Sequence, residues 1–194
     1  MSLTLYLHPL SSYCQKVLIA FYENGTPFAP YVVDDAPSRA ALLKISPIGK
    51  FPVLRDDAND RTIPESSIII EYLARKYPGR ATLVPSDADL ALQTRLQDRF
   101  YDLYVSAPMQ AIVKDRLRPP GKKDPEGVAE AAASLQTAYG VIEGEMGAKT
   151  WATGESFGMA DCSAAPALYY ADLVSPLRVE HKRVATYMRR LTDR

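Results

Sequence analysis

Strand-like runs are confined to the first 80 residues of this 194-residue chain, and every periodic segment beyond them has helical spacing. Residues 3–7 form a short apolar run ended by His8-Pro9. From Ser11 or Ser12 to Asn24 the pattern is helical, with Val17, Ala20 and Phe21 on one face and Gly25 as a stop. Residues 28–33 are aromatic and β-branched, as a strand requires. Residues 39–45 form a short helix closed by Ser46-Pro47-Ile48-Gly49. Residues 51–55 and 62–63 flank the turn-forming Asp56-Asp57-Ala58-Asn59-Asp60. Residues 66–77 then carry Ile69, Ile70, Leu73 and Tyr77 at helical spacing. The order is strand, helix, strand, helix, strand, strand, helix. A right-handed βαβ unit followed by a ββα unit gives a mixed four-stranded sheet with helices on both faces.

Prolines, a glycine and polar residues fill 78–87, so the chain divides into a domain over 1–79, a linker over 80–87 and an all-α domain over 88–194. Ser86 with Asp89 fits a capping arrangement for a long helix running to about Arg116. Its Leu92, Leu96, Phe100, Leu103 and Tyr104 lie on one side. Asp124-Pro125 reads as an N-cap with proline in the first turn, followed by Ala132, Leu135, Tyr139, Ile142 and Met146. Residues 159–173 and 176–191 complete the helices.

Lys plus Arg and Asp plus Glu number 23 each, which leaves no electrostatic case for nucleic acid or an anionic membrane as partner. The same neutrality offers little repulsion between copies. Two cysteines, Cys14 and Cys162, are too few for a disulfide framework. His8 and His181 lack neighbouring ligand types, so no metal site is expected. The opening MSLTLYLHPLSSYC has neither a basic nor a long apolar region, and no run approaches a membrane span. The expected location is the cytoplasm.

Three local patterns carry chemistry. Ser11-Ser12-Tyr13-Cys14-Gln15-Lys16-Val17-Leu18-Ile19-Ala20 resembles the first-helix motif S/C-x-x-x-x-R-V-x-I-A of glutathione transferases with serine or cysteine at the site. Its first four residues also look like a glutaredoxin C-P-Y-C whose leading cysteine has become Ser11. Ser46-Pro47-Ile48-Gly49-Lys50-Phe51-Pro52-Val53-Leu54 is similar to the family's N/S-P-x-G-K-V-P-x-L. Pro64-Glu65-Ser66-Ser67-Ile68-Ile69-Ile70-Glu71-Tyr72-Leu73 is similar to its E-S-x-x-I-x-x-Y-L. Their order and spacing match throughout 1–80. The resemblance implies a thioredoxin-like first domain that binds glutathione, a helical second domain lining an electrophile site, and a homodimer.

A hydroxyl where a strand ends and a helix begins can stabilise a thiolate, aided by first-turn N–H groups; it can equally be only an N-cap. Ser11 is the residue expected at the glutathione sulfur, with Ser12, Tyr6 and Cys14 as alternates. Tyr6 is otherwise a core strand residue. Cys14 is otherwise a small buried hydrophobe, or the resolving position of a redox motif. The resemblance implies a cis Phe51-Pro52 step presenting the peptide groups of Phe51 to glutathione, with Lys50 at the glycyl carboxylate. Glu65 and Ser66 would hold the γ-glutamyl end. The family usually has valine where Phe51 stands. Leu10, Tyr101, Tyr104 and Met109 are the expected lining of the electrophile site. Gly154-Glu155-Ser156-Phe157-Gly158-Met159-Ala160-Asp161 resembles the family's G-D-x-F-S-x-A-D, with Gly158 replacing the capping serine. These features imply a transferase of glutathione to small electrophiles. Two other classes fit the same motifs: a non-catalytic binding or regulatory protein of this fold, and a thiol oxidoreductase using Cys14.

Overall fold

The computed structural model describes residues 2–194. The chain forms two units, one ending at Pro85 and one running from Ser86 to Arg194. The first contains β1 (Leu3–Leu7), α1 (Ser12–Asn24), β2 (Ala29–Val32), α2 (Ala36–Ile45), β3 (Val53–Asp56), β4 (Arg61–Pro64) and α3 (Ser66–Lys76). The sheet order is β2-β1-β3-β4, with β1 parallel to β2 and antiparallel to β3. This is the mixed four-stranded, thioredoxin-like sheet expected from the sequence.

Alternation sorts the side chains of the sheet. Tyr6, Tyr31 and Val53 share a face with Leu42 of α2 in one apolar cluster. Leu5, Leu54 and Ile63, in register across three strands, occupy the other face. The helices α1 and α3 pack on each other, and α3 lies against β3 and β4. Their Val17, Ala20, Phe21, Ile69, Ile70 and Leu73 are all fully buried. Asn24, at the end of α1, donates its side-chain amide to the carbonyl of Tyr77. A Cβ on Gly79 would lie 2.0 Å from the Asn24 carbonyl oxygen, so only glycine fits this close approach.

Asp56 ends β3 in full burial. It accepts hydrogen bonds from Tyr72 Oη (2.8 Å), Tyr77 Oη (2.5 Å), Asn59 Nδ2 (2.9 Å) and the N–H groups of Ala58 and Asn59. The β3–β4 hairpin is thereby tied to α3.

The second unit contains α4 (Ala88–Phe100), a π-helical segment (Tyr101–Ser106), α5 (Ala107–Arg116), α6 (Pro125–Glu145), α7 (Met159–Val174) and α8 (Lys182–Thr192). Asp87 rather than Ser86 caps α4, accepting the N–H of Leu90 at 2.8 Å. The long helix to Arg116 is continuous in course but not in type. Pro108 has no N–H to give to the fourth residue back and its ring crowds that carbonyl, which a wider π turn relieves. The wider turn also turns adjacent residues inward together, Tyr101 with Asp102 and Val105 with Ser106. The last helix begins at Lys182, not at residue 176. Asp172 takes the N–H of Leu177 at 2.8 Å and His181 Nδ1 takes that of Arg178 at 3.3 Å, which holds this stretch in turns.

Asp161, in the first turn of α7, is fully buried. Its carboxylate accepts from Ala152 N (2.8 Å), Gly158 N (2.9 Å) and Tyr187 Oη (2.5 Å). Gly158 contributes only its carbonyl to the reciprocal bond from Asp161 N. Burial pushes the carboxyl pKa up, against the three donors that pull it down.

Candidate active site

Strand register alone brings the three motifs of the first unit to one end of the sheet. Tyr6 of β1 pairs with Val53 of β3, which pairs with Pro64 of β4. Ser11 therefore follows the end of β1, Phe51-Pro52 precedes the start of β3, and Glu65-Ser66 follows the end of β4, all on the same side.

Ser11 is the N-cap of α1, with φ −80° and ψ 121°. Its Oγ accepts the N–H of Cys14 at 3.3 Å through a lone pair, and the hydroxyl hydrogen can turn to the Cys14 thiol or to a ligand. Ser12 is buried in the first turn. Tyr6 stacks on Tyr31 with centroids 4.6 Å apart, inside the α2-side cluster. Burial pushes its pKa up, with Tyr31 and Asp57 adding to the effect. Cys14 is fully buried, and its Sγ accepts the N–H of His8 at 3.4 Å. Burial outweighs the hydrogen bonds from Ser11 and His8 and raises the thiol pKa, the reverse of what a nucleophilic cysteine needs.

Phe51-Pro52 is a cis peptide. Phe51 lies outside the paired residues of β3, so the ladder does not use its peptide groups. Its ring stacks on His8, centroids 5.6 Å apart and planes at 19°. His8, which in the sequence only marks the end of the first strand, braces the Ser11 loop against the cis step. Lys50 is exposed beside Gly49, which has φ +65°.

Glu65 occupies the N-cap position of α3 with φ +69° and ψ 119°, and no side chain caps the helix. A positive φ on glutamate is strained, of order 1–3 kcal/mol, and such strain is retained where a site depends on it. The N–H groups of the first turn thus point toward one end of the sheet together with the positive end of the helix dipole, a natural seat for a carboxylate. Ser66, the first helical residue, is buried there.

Two of the expected electrophile-lining residues are core instead. Tyr101, 1% exposed, and Met109 pack in the helical core with Leu135, Tyr139 and Leu168. The π turn rotates Tyr101 inward, so neither offers surface to a small molecule. Leu10, 74% exposed, and Tyr104, 58% exposed, are open on their own units. A groove of about 580 Å³ between α1 and β2, lined by Leu18, Tyr22, Phe28, Pro30 and Arg80 among others, contains none of Ser11, Ser12, Lys50, Phe51, Glu65 or Ser66. No group of three or more His, Cys, Asp or Glu among the described residues is arranged to hold a metal ion. No described helix is long and apolar enough to cross a membrane.

Residues 5–81 match the model of the glutathione S-transferase N-terminal domain, and residues 125–190 that of the glutathione S-transferase C-terminal domain. Fold and matched segments together define a two-domain protein of the glutathione transferase type. The glutathione S-transferase-like protein LUC7 of a Fusarium species is 30% identical over 183 residues, 90% of this chain and 81% of that protein. The chain belongs to the glutathione transferase family. Glutathione S-transferase GstB of Escherichia coli K12 is 24% identical over 99% of this chain and 94% of its own length. A solved glutathione S-transferase from Methylobacillus flagellatus KT with glutathione bound has the same fold, with TM-score 0.87 and 22% identity over 100% of this chain and 96% of that one.

Proposed function

We propose that this protein binds glutathione at the end of the sheet where Ser11, Phe51 and Glu65 converge, and adds its sulfur to small electrophiles. The observation that carries the reading is that convergence: a capping hydroxyl, an unladdered strand start and an uncapped helix N-terminus share one end of the sheet. Phe51 offers main-chain groups to the cysteinyl residue, Lys50 meets the glycyl carboxylate, and Glu65 with Ser66 holds the γ-glutamyl end. Ser11 donates its hydroxyl hydrogen to the sulfur, and with the first turn of α1 it stabilises the thiolate. The thiolate attacks the electrophilic carbon, the carbon–sulfur bond forms, and the leaving group departs or the adduct takes a proton. Leu10, exposed one residue before Ser11, remains on the first unit as expected apolar lining for that electrophile. The protein acts in the cytoplasm as a homodimer.

The test is saturable retention on immobilised glutathione together with turnover of a generic aryl halide. Retention without turnover identifies a non-catalytic binding protein of the family. Deglutathionylation of a mixed disulfide that survives Ser11→Ala but disappears in Cys14→Ser identifies an oxidoreductase; the burial and raised pKa of Cys14 argue against that outcome.

A further inference from the structure

The turn that leads into α1 runs from His8 to Ser11, with Pro9 in its second position and the N–H of Ser11 given to the His8 carbonyl at 3.0 Å. Its central peptide unit joins Pro9 to Leu10, and rotation of that unit is the motion that interconverts the common turn types. Here the unit is held at both ends. His8 Nδ1 accepts the N–H of Leu10 at 3.2 Å, and Gln15 Nε2 of α1 donates to the Pro9 carbonyl at 2.6 Å. The N–H of His8 is itself given to Cys14 Sγ at 3.4 Å. The same imidazole stacks on Phe51, centroids 5.6 Å apart. One half-buried side chain thus touches both the loop that delivers Ser11 and the residue that precedes Pro52. The two contacts use different parts of it. The first needs one acceptor atom, which an asparagine oxygen supplies to the N–H two residues on in the same way. The second needs only an aromatic ring. Phenylalanine would keep the stack and lose the acceptor; asparagine would do the reverse.

We propose that His8 is a positioning residue with two separable roles: its Nδ1 locks the turn that aims Ser11 at the glutathione sulfur, and its ring holds Phe51 in place for the peptide's main chain. This inference rests on the glutathione reading given above. It makes thiol activation and peptide recognition draw on one side chain that lies outside all three motifs.

Two measurements separate the roles. Ultraviolet titration of bound glutathione gives the pKa of its thiol and so reads the placement of Ser11. Calorimetry with S-methylglutathione, which has no ionisable thiol, reads the peptide contacts alone. His8→Phe should raise the bound thiol's pKa by about 0.5–1 unit, toward the free value near 8.5, and leave S-methylglutathione within about 2-fold of wild type. His8→Asn should weaken S-methylglutathione about 3- to 10-fold and leave the thiol within about 0.3 unit of wild type. A merely structural histidine would move both quantities together in both variants. That pattern, or no change in either variant, overturns the proposal. If His8→Phe fails to fold, Gln15→Leu carries the turn arm; if His8→Asn fails, Phe51→Leu carries the ring arm, with the same split expected and the same patterns overturning it. A wild type whose bound thiol titrates like free glutathione overturns the role given to Ser11, and this proposal with it, while leaving peptide binding intact. A folded wild type that binds neither peptide overturns the functional reading first, and this inference with it.

Discussion

A serine that caps a helix uses an oxygen lone pair and keeps its proton, so Ser11 can serve α1 and a ligand at once. Ser11→Ala should lower turnover roughly 10- to 1,000-fold, or about 1.4–4 kcal/mol of transition-state stabilisation. Glutathione affinity should change far less, and the pH of half-maximal rate should rise toward the free thiol value near 8.5. Steady-state kinetics against pH checks this, with Tyr6→Phe as control. A parental profile in Ser11→Ala with a lost one in Tyr6→Phe would transfer the role to Tyr6. Ser11, Phe51 and Glu65 were legible because each sits in a motif whose spacing is tied to an element boundary. His8 was not, since its partners Leu10 and Phe51 are set by a turn and by strand register, which no local pattern carries. Tyr101 and Met109 were misjudged because helical spacing fixes relative angle, not which face points inward.

Elements were read well where a cap or a stop had its own residue, as at Gly25 and Asp124. They were read less well where a side chain acted at a distance. The helix α2 starts at Ala36, three residues earlier than expected, because Asp35 and Ser38 form a reciprocal capping box. The cage around Asp56 is a comparable case, assembled from residues 16 and 21 positions away. Desolvation opposes ionisation there, but donation from Tyr77, Asn59 and Tyr72 prevails and lowers the pKa to about 2. A depressed carboxylate contributes its stability above the unfolded pKa and loses it as pH falls toward the folded value. The contribution, up to about 2 kcal/mol, is therefore complete above about pH 4 and vanishes as the pH falls through 2. Asp56→Asn should flatten that acid branch in urea titrations between pH 2 and 5, and lower stability at pH 7. In the helical unit, Asp161→Ala leaves the N–H groups of Ala152 and Gly158 and the hydroxyl of Tyr187 without this acceptor. The expected cost is about 3 kcal/mol or more, read as a lower urea midpoint for that unit.

At the scale of the whole molecule, Leu92, Leu96, Leu103 and Tyr104 are exposed on the second unit, while Thr94, Asp98 and Asp102 are buried. Of the apolar stripe seen in the sequence, Phe100 packs against the helical core and the other four residues face away from it. A chain of zero formal charge with such a stripe is expected to pair, and light scattering at micromolar concentration should give twice the 21.4 kDa of one chain. A value of one chain mass would contradict the homodimer. Leu92→Glu with Leu96→Glu should return the protein to that single mass without unfolding it.

The register of β3 has a further consequence for how the protein tolerates change. Four residues carry the motif-bearing end at Val53 and the tyrosine cage at Asp56, about 10 Å apart along one strand. Variation at the two ends is therefore sorted by different filters. Drift near Asp56 consumes thermodynamic reserve, and drift near Val53 reaches the proposed glutathione-binding end as well as the apolar cluster behind it. A lineage can lose one kind of fitness and recover it at the far end of the strand without the two changes ever touching. Loop grafts at Asp57–Asn59 should for the same reason be screened by melting temperature, and substitutions beside Pro52 by turnover.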